Sequence, residues 1–273
     1  MSLNQYSVKA YLKGFPEVKT PQKILECELD FDNDRKQYFF STIVSAESGD
    51  EALSKGMERI NLVIGVFEVY LITHLEIVLK LSEQISGEQP FINSTSFTLR
   101  RMRFLPLPQE MVDKIRRSTE LLDKLPEHET YKKRVNKAIS FLRKGCFLER
   151  DWSSEAFLNY YKALELVSHD FRRAFDKEVG SQLSGTLLKD LTELELKDLR
   201  TQKRLIQFTA QQLGIIHPYD IPKIVELRNK FGAHANLEDV TVSENEFNDC
   251  KILAANIITA YLDYLEKEGR SKK

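Results

Sequence analysis

The sequence predicts an α+β protein: a small N-terminal α+β domain over residues 1–128, then an all-α helical bundle over 129–273. Three observations predict it. Period-two strand patterning is concentrated in the first 45 residues, long period-3.6 segments take over after about residue 130, and 273 residues exceed the roughly 100–200 of a single domain.

Residues 7–15, ending at Pro16, read as a first strand. Residues 24–31 read as a second, with Leu25, Cys27, Leu29 and Phe31 on alternate positions, and the aromatic and β-branched run 37–45 as a third. Asp32-Asn33-Asp34 supplies the hairpin turn between the last two. Ser48 and Glu51 match a capping box, and the helix they open carries Ala52, Leu53, Met57, Ile60, Val63, Ile64 and Phe67 at helical spacing. Packing that stripe on the sheet makes an α+β unit. The apolar run 69–81 fits either a continuing helix or a strand, because it commits to neither period. Residues 87–93 read as a loop and 95–105 as a further strand, and Pro106 and Pro108 precede a helix over 109–125.

The boundary falls at 126–130. Beyond it, 132–148 is a basic amphipathic helix with Val135, Ala138, Ile139, Leu142 and Phe147 on one face. Residues 151–175 form the strongest helix, with Phe157, Tyr160, Tyr161, Leu164, Val167, Phe171 and Phe175 at steps of three and four. That face suits a bundle core, a dimer surface or both. Residues 180–185 read as a loop and 186–213 as one or two helices. A helix near Pro218 and Pro222 carries Ile224, Val225 and Leu227 and is expected to end at Gly232, placing His234 just outside it. Ser243 and Glu246 form a second capping box before a final helix bearing Phe247, Cys250, Ala254, Ile257, Tyr261 and Leu265. Five helical segments imply a bundle.

Composition narrows the function. The apolar fraction of 42%, with 16 Phe and 10 Tyr, is that of a folded chain. A net charge of -1 argues against whole-molecule attraction to nucleic acid or anionic membrane, although residues 100–150 carry a net of about +7. Cys27, Cys146 and Cys250 lack metal-ligand or disulfide spacing, so buried thiols are expected and no metal site or cofactor is indicated. The run 60–81 is interrupted by Asn61, Glu68, His74, Glu76 and Lys80, and the N-terminus lacks a signal pattern, so no membrane partner and a cytoplasmic location are expected.

The segment Arg228-Asn229-Lys230-Phe231-Gly232-Ala233-His234 carries the clearest chemistry. Arginine grips phosphate through parallel charged hydrogen bonds, and histidine exchanges protons near neutral pH. Those two actions suffice to cleave RNA without a metal, because the neighbouring 2′-hydroxyl can be the nucleophile. With five His in the chain, an Arg at such a spacing is expected about once by chance. Its position at a helix end, before a capped helix, is what supports the site. A helix-capping arginine and a turn histidine are the structural alternative. Glu165 and His169 share a helix face, as an ion pair or a support for the Arg/His site; a metal reading lacks further ligands. The 180–186 segment has phosphate-loop glycine spacing but no lysine before Thr186. Arg100, Arg101, Arg103, Arg116, Arg117, Lys132, Lys133, Arg134 and Lys137 form a basic stretch able to track phosphates.

Together, 156–165 on a long helix (Ala-Phe-Leu-Asn-Tyr-Tyr-Lys-Ala-Leu-Glu) and the later Leu227-Arg228-Asn229-Lys230-Phe231-Gly232-Ala233-His234-Ala235 resemble the HEPN superfamily, notably its Apea-like branch, over about the last 140 residues. The resemblance implies a metal-independent endoribonuclease of a defence or toxin-like system. It makes Arg228 and His234 the catalytic pair and Asn229 the polar residue after the arginine. It also implies a homodimer with a composite cleft, RNA as substrate and an antitoxin or other protein as partner. Other members have lost activity, so the alternative is a non-catalytic HEPN-like interaction or ligand-sensing module.

Overall fold

The computed structural model describes residues 4–85, 106–125, 130–149, 152–182, 202–215, 220–233 and 243–271. The expected loop at 87–93, the strand at 95–105 and His234 lie outside these. The chain divides into two compact units, Met1–Tyr70 with His74–Lys124, and Leu71–Thr73 with Leu125–Lys273.

The first unit is an antiparallel sheet of β1 (Asn4–Lys13), β2 (Gln22–Ile24), β3 (Cys27–Asp32), β4 (Gln37–Ala46) and β5 (Glu76–Gln84), in the order β2-β3-β4-β1-β5. The strand expected over 24–31 is two. Leu25 takes a left-handed φ of 54° and closes a two-residue turn between Ile24 and Cys27, a conformation the period-two pattern does not signal for a leucine. The next turn is built as its residues predict, with Asp32 Oδ1 accepting the backbone N–H groups of Asp34 (3.0 Å) and Arg35 (2.9 Å).

Helix α1 (Gly49–Leu71) starts at the first capping box, where Ser48 Oγ accepts from Glu51 N at 3.2 Å and Glu51 accepts from Glu47 N at 2.8 Å. Its stripe of Ala52, Met57, Ile60, Val63, Ile64 and Phe67 is buried, and Phe67 meets Phe40 of β4 and Phe15. Gly56 sets the approach to the sheet, since a Cβ there would stand 2.5 Å from Val8 Cβ on β1. The 69–81 run divides: helix to Leu71, a reversal with Ile72 at φ 51°, and then β5. Fully buried Glu68 pins that reversal, its Oε1 2.8 Å from both Leu75 N and His74 Nδ1. Helix α2 (Gln109–Lys124) joins the sheet edge, where Arg116 donates to Gln22 Oε1 at 3.1 Å, and α1, where Tyr70 and Ser118 hydroxyls lie 2.8 Å apart.

The second unit contains α3 (Thr130–Leu148), α4 (Ser153–Gln182), α5 (Gln202–Gln212), α6 (Ile221–Ala233) and α7 (Glu244–Ser271) among the described residues. All the others pack on α4. Phe157, Tyr160, Tyr161, Leu164, Val167 and Phe171 are buried within one chain, so this aromatic face is bundle core. Helix α3 returns antiparallel, with Gly145 so close to Tyr160 that a Cβ would fall 2.4 Å from its ring. Helix α7 runs parallel to α4, Tyr160 meeting Phe247 and Phe171 meeting Tyr261 and Tyr264. Its capping box is formed: Glu246 N donates to Ser243 Oγ at 3.3 Å and Ser243 N to Glu246 Oε2 at 3.0 Å.

Gly180, expected to open a loop, and Gly232, expected to end a helix, both lie within helices. Helix α4 runs past Gly180 to Gln182, and α6 runs past Gly232 to Ala233. A helical glycine costs about 1 kcal/mol relative to alanine, a cost that packing outweighs around Gly232, where Phe231 meets Phe157 with centroids 5.5 Å apart and rings tilted at 52°. Among the described residues no helix is long and apolar enough to cross a membrane.

Candidate functional site

The site is built where α6 lies antiparallel on α4. Phe157 faces Phe231, and one turn along, Tyr161 faces Arg228. On α6 the apolar residues Ile221, Ile224 and Leu227 are buried; Arg228 is partly exposed and Asn229 exposed. The apolar stripe therefore turns the arginine to the rim of the helix contact.

Two groups hold the Arg228 guanidinium. Nη1 donates to Asn229 Oδ1 at 3.1 Å, and Cζ stands 5.6 Å from the centroid of the Tyr161 ring. Among the described residues Arg228 forms no ion pair, although charges crowd α6. There Lys230 pairs with Glu226 at 2.7 Å, and Lys223 lies 3.8 Å from Glu226 and 3.9 Å from Glu246. Lys230 holds the Glu226 carboxyl below its ordinary range, so these charges are largely matched to one another. Tyr161 is 1% exposed. Burial pushes its phenol far up and the Glu165 carboxylate pushes it further, against the opposing pull of Arg228, so it stays neutral at physiological pH.

A second arginine of this bundle, Arg134, is held differently. Arg134 Nη1 lies 2.7 Å from Oδ1 of Asp170, which is 1% exposed, and Tyr261 donates to Oδ2 at 3.0 Å, tying α3, α4 and α7 together. Arg134 was expected on a phosphate-tracking surface; it faces a carboxylate instead. Lys132 is nine-tenths buried and Lys133 is exposed. Arg100, Arg101 and Arg103 lie outside the described residues.

Arg228 thus faces Tyr161, Asn229 bonds Arg228, and the Glu165 carboxylate acts on the Tyr161 phenol from the next turn of α4, whereas His234 is outside the described residues. Tyr161 and Asp170 were not among the expected site residues. Asp170 carries a signal, being an acidic residue within the apolar face of α4 between Val167 and Phe171; Tyr161 reads only as core. His169 is exposed, and among the described residues no group of three or more His, Cys, Asp or Glu side chains is arranged to hold a metal. The arrangement offers a fixed, positively charged donor edge suited to an oxyanion.

Comparison with protein-family models, with curated proteins and with solved structures finds no match.

Proposed function

We propose that this chain is a HEPN-type, metal-independent endoribonuclease that acts as a homodimer in a defence or toxin-like system. The observation that carries the reading is Arg228: partly exposed, held in place and without an ion pair among the described residues, five residues before the last residue of α6. In a bundle where Arg134 is matched to a buried aspartate, a fixed arginine lacking such a match is suited to an external anion.

In this reading Arg228 binds the non-bridging oxygens of a phosphodiester and the charge that develops on them. The 2′-oxygen attacks phosphorus as a base removes its proton, the bond from phosphorus to the 5′-oxygen breaks, and an acid protonates that oxygen. The products are a 2′,3′-cyclic phosphate and a 5′-hydroxyl. His234 supplies proton transfer, Asn229 orients Arg228, and Glu165 supports the site beside Tyr161. One histidine is one proton-transferring group, so the second comes from the partner protomer. Single-stranded RNA incubated with purified dimer in excess chelator tests this. His234→Ala is expected to slow cleavage about 10²–10⁴-fold; a variant as fast as wild type removes the histidine from the mechanism.

A second reading, a non-catalytic interaction module, is favoured by Phe147 and Trp152, 64% and 59% exposed around the α3–α4 junction. It predicts no cleavage by any preparation, and loss of folding or dimerisation in Arg228→Ala.

A further inference from the structure

We infer that Tyr161 is a positioning residue for Arg228, an aromatic floor that holds the guanidinium in place while leaving its charge available to a phosphodiester. This inference rests on the ribonuclease reading above.

An arginine can be oriented by a carboxylate or by neutral groups, with different consequences. At Arg134 the carboxylate of Asp170 supplies both orientation and neutralisation, leaving little net charge for a ligand. At Arg228 both holding groups are uncharged: the Tyr161 ring and the Asn229 amide oxygen. A ring face attracts the cation through its quadrupole without neutralising it, so the N–H groups not bonded to Asn229 keep a full positive charge behind them. Such groups are what a phosphate engages by two parallel hydrogen bonds.

The floor is rigid. Tyr161 is 1% exposed, and the Phe157–Phe231 contact one turn away sets the register of α6 on α4, bringing residue 228 to residue 161. Its phenol is held neutral by burial, so no phenolate forms beneath the guanidinium to cancel its charge. Tyr161 does not touch substrate in this scheme; it acts through Arg228.

The test uses the full-length protein and a single-stranded 2′-O-methyl oligonucleotide, which can be bound but not cleaved, with binding read by fluorescence anisotropy. Tyr161→Phe keeps the ring and is expected to bind within about twofold of wild type, whereas Tyr161→Leu weakens binding about five- to tenfold. Arg228→Lys, which loses the fork, weakens binding about as much. In the Arg228→Lys background Tyr161→Leu adds little, because the two residues act as one unit. Equal weakening in both backgrounds overturns the inference by assigning Tyr161 to packing alone. Should Tyr161→Leu fail to fold, the wild-type Arg228 Nε–Hε resonance, assigned by its loss in Arg228→Lys, decides. A ring-shifted signal that moves on adding oligonucleotide supports the inference; an unshifted signal that ignores it overturns the inference. Coupled binding without any RNA cleavage refutes the ribonuclease reading and leaves the role of Tyr161 standing, whereas a wild type that binds no oligonucleotide refutes both.

Discussion

Truncating two arginines of the same bundle should have very different effects on stability. Arg134→Ala removes a cation from a carboxylate that is 1% exposed. Breaking a buried pair from one side costs about 3–5 kcal/mol. The Arg134 side chain is 22% exposed and Tyr261 still donates to Asp170, which places the loss at the lower end, about 3 kcal/mol. Arg228→Ala loses a partly exposed ring contact of about 0.5–1 kcal/mol and an exposed hydrogen bond of about 0.5 kcal/mol, offset slightly by the helix preference of alanine. Its total is about 1 kcal/mol. With a urea m-value of about 2 kcal/mol/M, the midpoints of the two variants should differ by about 1 M. Far-UV circular dichroism and fluorescence of Trp152, the single tryptophan, which lies in the second unit, would follow the transition. If Arg228→Ala shifts the midpoint as far as Arg134→Ala, Arg228 is a structural residue and the argument for an anion site collapses.

Further expectations are more local. Gly56→Ala forces a Cβ to 2.5 Å from Val8 Cβ and should destabilise the first unit by about 1–3 kcal/mol, with partial recovery in the double variant carrying Val8→Ala. Gly145→Ala meets the Tyr160 ring at 2.4 Å and should lower the thermal midpoint of the second unit, recovered in part by Tyr160→Leu. Ser243→Ala removes the cap of α7 and should cost about 1 kcal/mol in urea unfolding. Burial pushes the Cys27 thiol up to about 11 from an ordinary 9.0, so its contribution to stability is full below 9 and is lost as pH rises from there through 11. Iodoacetamide labelling at pH 8 should therefore be about a hundredfold slower at Cys27 in the native than in the unfolded chain; equal rates would show that the thiol is not held in the core.

What could be read directly from the residues was local. The α1 stripe and the α7 capping box rest on interactions within a few positions and form as their spacing predicts, while at α1 Ser48 caps Glu51 N as expected and the Glu51 carboxylate reaches Glu47 N, one residue before the cap. Features set by contacts distant in sequence were hidden. The 69–81 run is divided by Glu68 reaching Leu75 and His74, a contact invisible to any hydrophobic period. Leu25 enters a left-handed turn that its side chain disfavours. Helix α6 reaches Ala233, one residue beyond the glycine expected to end it. Around the candidate site, Arg228 and Asn229 were legible from residue chemistry. Tyr161 was not, because only the antiparallel register of α6 on α4 separates it from the core aromatics beside it.

That register bears on how such a protein changes over time. Helix α4 is the spindle on which α3, α5, α6 and α7 are all mounted, so substitutions on its inner faces disturb several neighbours at once. Helix α6 is a 13-residue cassette held in the bundle by buried Ile221, Ile224 and Leu227 and by Phe231 on Phe157 of α4, with Arg228 interleaved among them. Descendants could therefore exchange Arg228 for another residue while every clamp stays in place. Such a lineage would keep its bundle and lose its anion-binding edge in one step, so under the ribonuclease reading the identity of residue 228 marks activity better than preservation of the fold.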